Sequence, residues 1–316
     1  MREQLKYYMN VPLLAVKHFK VEDSLILCSE ARGGSTWLME ILSHLPGSLV
    51  NWEPLHHQYG LIPPEFGWSK RPYLPKDFVS PAYKKTMEEI LTYQRHSSWT
   101  FLRAGWTDAC QARFVITKFV RAIPLLPWLL RQFDFRHPPI LLLRHPVDTC
   151  LSMIKAFGIA RDNDGSLSIP ERIQARYPSE QSFLRQLSDP LEHRLAIWCL
   201  DNLPTLDDEL VQQKTVWVYY ENIVLQPEAE VERLLIAIGF KADSRLVLEK
   251  ATFRKPSPTD FEQQLRKTPE EQLWKNLNRL SKMEKDRIQH IFDRYGLYRY
   301  NAYTPFPVDQ RSPASS

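Results

Sequence analysis

The sequence predicts an α/β fold, a central mostly parallel sheet flanked by helices. Three observations predict it. Five short apolar runs alternate with longer segments of helical periodicity. The runs are almost continuously apolar rather than alternating, which is the pattern of strands covered on both faces. The chain is long enough for a large core, with 316 residues, 43% hydrophobic and 25% charged.

The same composition excludes a disordered or fibrous chain. A net charge of +4 does not mark a nucleic-acid binder and suits an anionic small molecule. No run reaches the roughly 18 apolar residues of a membrane span, and Met1–Lys20 lacks the cleavage site of a signal peptide. Cys28, Cys110, Cys150 and Cys199 are far apart, without metal-ligand or CxxC spacing. Together these features favour a reducing, cytoplasmic setting, no metal and no nucleic-acid partner. One domain over residues 1–300 is expected, with residues 301–316 as a poorly ordered, Pro- and Ser-rich tail.

The first strand, Leu25–Cys28, runs into Ser29-Glu-Ala-Arg-Gly-Gly-Ser-Thr-Trp and a helix over Ser35–Leu45. Two of only ten glycines, Gly33 and Gly34, sit at this corner. Ser35 and Thr36 open the helix, where backbone N–H groups lack internal partners and the dipole favours an anion. Glycine lets the backbone approach a phosphate, and the hydroxyls add donors. The lysine of GxxxxGK[ST] is absent, and Arg32 precedes the glycines instead. A plain helix cap is the other reading of this segment.

The second strand, Ser48–Trp52, ends at Glu53-Pro-Leu-His. A carboxylate at a strand end can face the cleft and take a proton. His56 and His57 are rival bases, and a partner for a nearby arginine is the plainer role for Glu53. Residues 58–81 are too long and too rich in proline and polar groups for a simple connector, which suggests a lid or substrate loop. A helix follows over Ala82–Tyr93. The third strand, Phe114–Thr117, leads into Lys118 and Arg121, and Leu125–Phe133 is helical.

The fourth strand, Ile140–Leu143, ends at Arg144-His-Pro, and Pro146 suits the first turn of the helix Val147–Ala156. Ser152 lies two turns along that helix. Open parallel sheets bind ligands at the carboxyl edge of the strands, where Arg144 could grip a phosphate through a forked contact. An ion pair with Asp148 is its alternative. Residues 158–179 form a second candidate loop. Helices then follow over Gln181–Leu206, Pro227–Ile238 and Lys282–Tyr295, with the fifth strand, Val216–Tyr219, between the first two.

Three segments in this order resemble a known family. Arg32-Gly-Gly-Ser-Thr-Trp resembles the 5′-phosphosulfate loop of the sulfotransferases. Arg144-x7-Ser152 is similar to their 3′-phosphate motif. Val216-Trp-Val-Tyr-Tyr-Glu resembles their late strand ending in Tyr-Glu. The resemblance implies a P-loop-like fold and PAPS (3′-phosphoadenosine-5′-phosphosulfate) as co-substrate, with no metal. By position, Arg32, Gly33, Gly34, Ser35 and Thr36 would cradle the 5′-phosphosulfate. Trp37 and Tyr220 would meet the adenine. Arg144 and Ser152 would hold the 3′-phosphate, and Arg254-Lys-Pro-Ser adds Lys255 and Ser257. Glu221 would be structural. Gly33 stands where serine is commoner, and the His that follows the catalytic lysine in the cytosolic small-molecule branch is missing after Lys118. Asn51-Trp-Glu-Pro-Leu-His resembles the Glu-Pro-Leu segment of carbohydrate sulfotransferases. It implies Glu53 as general base, Lys118 on the leaving oxygen and a sugar hydroxyl as acceptor, with tyrosine, lipid and small alcohols open. Two other functions compete. A P-loop kinase of a small metabolite needs Mg²⁺ and the missing lysine. A silent nucleotide-binding module would have no use for Glu53 and Lys118.

Overall fold

The computed structural model describes residues 2–68, 70–241, 247 and 268–308. Five parallel strands form one sheet: β1 (Leu25–Ser29), β2 (Ser48–Trp52), β3 (Phe114–Val120), β4 (Ile140–Leu143) and β5 (Val216–Tyr219). Their order is β2-β3-β1-β4-β5. All five expected strands are present, and β3 runs through Lys118 to Val120. Side chains alternate across each strand, so each apolar run feeds two cores. Ile26, Cys28, Phe119, Leu141 and Leu143 pack on one face, together with Trp128, Leu195 and Phe292 from helices. Leu25, Leu27, Ile116, Ile140, Leu142 and Val218 pack on the other, with Leu38, Ile41 and Leu234.

The expected helix Gln181–Leu206 is two helices, Gln181–Gln186 and Pro190–Leu206. Pro190 cannot continue a helix through its missing N–H but suits a first turn. Asp189 caps that turn by accepting from the N–H groups of Leu191 and Glu192 at 2.9 and 3.0 Å. Short helices at Trp106–Gln111, Glu171–Arg176, Glu209–Lys214 and Tyr220–Leu225 fall below the window in which a 3.6-residue period is readable. The Arg2–Ala15 helix was also not expected. It holds Pro12, and Tyr7 and Leu13 pack on a third small core around Phe101.

Part of the segment expected as a tail makes defined contacts. The Asn301 carbonyl meets His145 Nε2 at 3.0 Å, and the Ala302 N–H donates to Gln289. Among the described residues no helix is long and apolar enough to cross a membrane.

The topology decides where a site can lie. From central β1 the chain first moves outward to β2, then crosses back to β4 and β5. The crevice at such a reversal, outside the carboxyl ends of the strands, is where open α/β sheets bind ligands. The register aligns those ends: Trp52 lies beside Lys118, Ser29 beside Val120, and Leu143 beside Tyr219.

Candidate active site

The loop after β1 turns sharply before the Ser35–Leu42 helix. Arg32 takes a left-handed φ of 66° and Gly34 one of 91°. A Cβ on Gly34 would lie 2.5 Å from the ring of Tyr220, and one on Gly33 would lie 2.6 Å from Ser29 Oγ. Neither position has room for a side chain. The helix has no side-chain cap, and the N–H groups of Ser35 and Thr36 have no hydrogen-bond partner among the described residues. Such unpartnered donors at a helix start suit an anionic group.

The second corner meets the first. Arg144 Nη1 donates to the Arg32 carbonyl at 3.3 Å, and Arg32 Nε donates to Ser152 Oγ at 3.0 Å. Arg144 also lies 3.6 Å from Asp148 and 4.7 Å above the ring of Tyr220. Tyr220 meets Trp37 edge to face at 5.8 Å. Arg32, Gly34, Trp37, Arg144, Ser152 and Tyr220 therefore form one cluster, although they come from three strand-to-helix corners.

Glu221 fastens the corner after β5 to the one after β4. Its buried carboxylate accepts from the His145 N–H at 2.8 Å and from Tyr300 Oη at 3.0 Å. Burial pushes its pKa up to about 7, against the pull of those donors. His145 Nδ1 accepts from the Val147 N–H, so Nε2 carries the proton toward the Asn301 carbonyl. Burial holds His145 neutral by lowering its pKa.

Lys118 and Glu53 form the second half of the site. Lys118 shares the sheet face of Ile116, toward the Ser35–Leu42 helix. Its Nζ donates to Thr36 Oγ1 at 3.1 Å and to Glu53 Oε1 at 2.9 Å, and lies 3.6 Å over the ring of Trp52. Burial lowers its pKa to about 8, while Glu53 acts in the opposite direction. Glu53 takes a left-handed φ of 43°, and Arg121 at the end of β3 one of 64°. With Arg32, a bulky residue in this costly conformation follows each of β1, β2 and β3, at roughly 1–3 kcal/mol apiece.

His56 is poorly placed to rival Glu53. Its Nδ1 accepts from the N–H groups of Gln58 and Tyr59, both at 3.3 Å. The neutral ring therefore carries its proton on Nε2 and presents a donor, not a base. His57 is exposed and stacks on His56 at 4.7 Å.

Two groups of the site escaped the sequence reading. Glu30 is buried directly after β1, accepts from the Ala31 N–H, and is gripped by both terminal nitrogens of Arg71. Arg71 also faces Asp201 at 3.5 Å. This contact pins the segment 58–81 to the glycine loop and to the Pro190–Leu206 helix. A carboxylate between a buried strand and a tight turn was the available signal, since it needs a partner. Trp52, the platform under Lys118, is the other. Lys255 and Ser257 lie outside the described residues.

A sequence model described as the sulfotransferase family matches residues 25–244. No curated protein matches the chain. Among solved structures, the chain is similar to mouse sulfotransferase SULT7A1 complexed with PAP, at 13% identity and a TM-score of 0.43. That likeness covers 90% of this chain and 88% of the mouse protein. It is also similar to the sulfotransferase domain of the Synechococcus PCC 7002 olefin synthase, at 14% identity, TM-score 0.42, and 89% and 97% coverage. A sulfotransferase domain of the curacin biosynthetic pathway stands at 15% identity, TM-score 0.40, and 86% and 97% coverage. The family match takes in all five strands and the corners that carry the clustered residues, and the chain belongs to the sulfotransferase family.

Proposed function

We propose that the protein moves a sulfuryl group from PAPS to a hydroxyl acceptor, a carbohydrate hydroxyl by the resemblance of the Glu53 segment. One observation carries this reading: hydrogen bonds join the glycine loop both to the Arg144–Ser152 corner, through Arg32, and to the Lys118–Glu53 pair, through Thr36. Gly33, Gly34, Ser35 and Thr36 offer backbone and hydroxyl donors to the 5′-phosphosulfate. Arg32, Arg144 and Ser152 serve the phosphates, and Trp37 and Tyr220 offer aromatic faces to the adenine. Lys255 and Ser257 are retained as 3′-phosphate contacts by resemblance alone.

In the transfer, Glu53 takes the acceptor's hydroxyl proton. The freed oxygen forms a bond to sulfur as the bridging bond from sulfur to the phosphate oxygen breaks. The leaving oxygen keeps that electron pair, and the Lys118 ammonium stabilises the charge that develops there. Thr36 holds Lys118 toward the loop, and the fixed donors spare the reaction much of its reorganisation cost.

Calorimetric titration with PAP, without added magnesium, tests the reading. Tight binding supports it, while preference for Mg-ATP would favour a kinase. Arg144→Ala is expected to weaken PAP binding by about 10- to 100-fold, the value of a charge-assisted contact. An unchanged affinity would remove Arg144 from the phosphate site. A screen with radiolabelled PAPS against sugars, phenols and lipids then identifies the acceptor.

The pH dependence follows from Lys118. Its ammonium is the working form and is lost above about pH 8, so kcat/KM is expected to fall as pH rises through that value. Stability responds in the opposite sense. Between about 8 and the ordinary value of 10.5 the unfolded chain binds the proton that the folded chain has lost. The contribution of this group to stability therefore rises with pH across that window. A kcat/KM profile that stays flat to pH 9.5, at roughly 1.5 units beyond the folded pKa, would contradict the assignment.

A further inference from the structure

A cleft lined by Glu53, Leu55, His56, Lys70, Val120 and Arg121 opens beside the proposed base. Its charges do not balance. Glu53 is taken by Lys118 at 2.9 Å. Glu30, the other carboxylate that acts on Arg121, is taken by the fork of Arg71. Lys70 and Arg121 are left, and neither has an ion-pair or hydrogen-bonded side-chain partner among the described residues. The Arg121 guanidinium lies 5.1 Å from the ring of Phe157. Arg121 is half-buried, and burial and the neighbouring Arg71 charge lower its pKa. Lys70 and Arg121 also act on His57, whose pKa burial and then these two cations lower. His56 adds a neutral N–H donor, as its Nδ1 contacts require.

A half-buried cation without a counter-charge costs free energy that an incoming anion relieves. The left-handed backbone at Arg121 adds to what this arrangement costs. A neutral polyol would be served by mixed donors and acceptors, whereas this cleft offers an excess of positive donors. We infer that the acceptor carries a carboxylate, phosphate or sulfate close to the hydroxyl that is sulfated, and that Arg121 with Lys70 binds this anion. The inference rests on the sulfotransfer reading for what the cleft is used for. It concerns a residue pair with no role in holding PAPS.

Matched ligand pairs test it by calorimetry, with and without saturating PAP. The pairs are methyl β-D-glucuronide against methyl β-D-glucoside, and 4-hydroxyphenylacetate against 4-hydroxyphenylacetamide. The first distinguishes a sugar acceptor, the second a phenolic one. The anionic member of at least one pair is expected to bind about tenfold tighter or more, as a charge-assisted contact requires. Arg121→Gln should reduce that preference to about twofold or less, and Lys70→Ala should lower it by about threefold. PAP affinity should change little in either variant. Lys70 is exposed, so its replacement reports on the cleft independently of how Arg121→Gln folds. Equal affinities within both pairs, or a preference that survives both substitutions, would overturn the inference. Failure of the wild-type protein to bind PAP would instead sink the sulfotransfer reading, and the anion preference would still be read from the titrations without PAP.

Discussion

Glu53→Gln is expected to lower kcat by about 10²- to 10⁴-fold, the range of a lost general base, while PAP affinity stays within about twofold. Glutamine keeps the shape of the side chain but cannot take the acceptor's proton. The variant has a second, separable effect. Glu53 is the charge that raises the pKa of Lys118 against burial. Without it, Lys118 should lose its proton below about pH 8, and the alkaline fall in kcat/KM should move to lower pH. Comparison of the two proteins on the acid side of each one's own alkaline fall isolates the base function. Near-wild-type turnover there would mean that Glu53 acts only through Lys118.

Lys118→Met should lower kcat by about 10²- to 10³-fold, the loss expected when a fixed charge aimed at a leaving group is removed. Methionine fills most of the buried volume over Trp52 and against Thr36, so packing is largely kept. Glu53 loses its partner but remains partly exposed to water. PAP affinity should fall much less than kcat, because PAP lacks the sulfuryl group whose departure Lys118 assists. The fall above pH 8 should also vanish. An alkaline limb that persists in this variant would assign the titration to another group. An affinity loss equal to the rate loss would make Lys118 a binding residue.

Much of the site was legible because its parts are local. A strand that turns through Gly33-Gly34 into a helix opened by Ser35-Thr36 shows, within a few residues, the pattern that suits an anion. The strands were legible for a related reason. A sheet covered on both faces requires nearly continuous apolar runs, and Leu25–Ser29 and Ile140–Leu143 are buried throughout. The break at Pro190 and the six-residue helices were not. Near a proline cap, tertiary packing and capping outweigh periodicity. The Glu30–Arg71 contact was also hidden, because it joins residues 41 positions apart, and Arg71 lies in a segment with no regular pattern.

The sequence by itself determined the five strands, the glycine corner after β1, the arginine corner after β4, and Glu53, Lys118 and Arg144 as charges at strand ends. These follow from local backbone chemistry and from side-chain periodicity. Only the tertiary structure decided which of them meet. The order β2-β3-β1-β4-β5 and its register bring Glu53 to Lys118, Arg144 to Arg32 and Tyr220 to Gly34, and leave Lys70 and Arg121 lining the cleft beside Glu53 without an ion pair among the described residues. Such pairings depend on strand neighbours far apart in the chain, and these are set by how the two faces of the sheet are buried, a global property that no local pattern encodes.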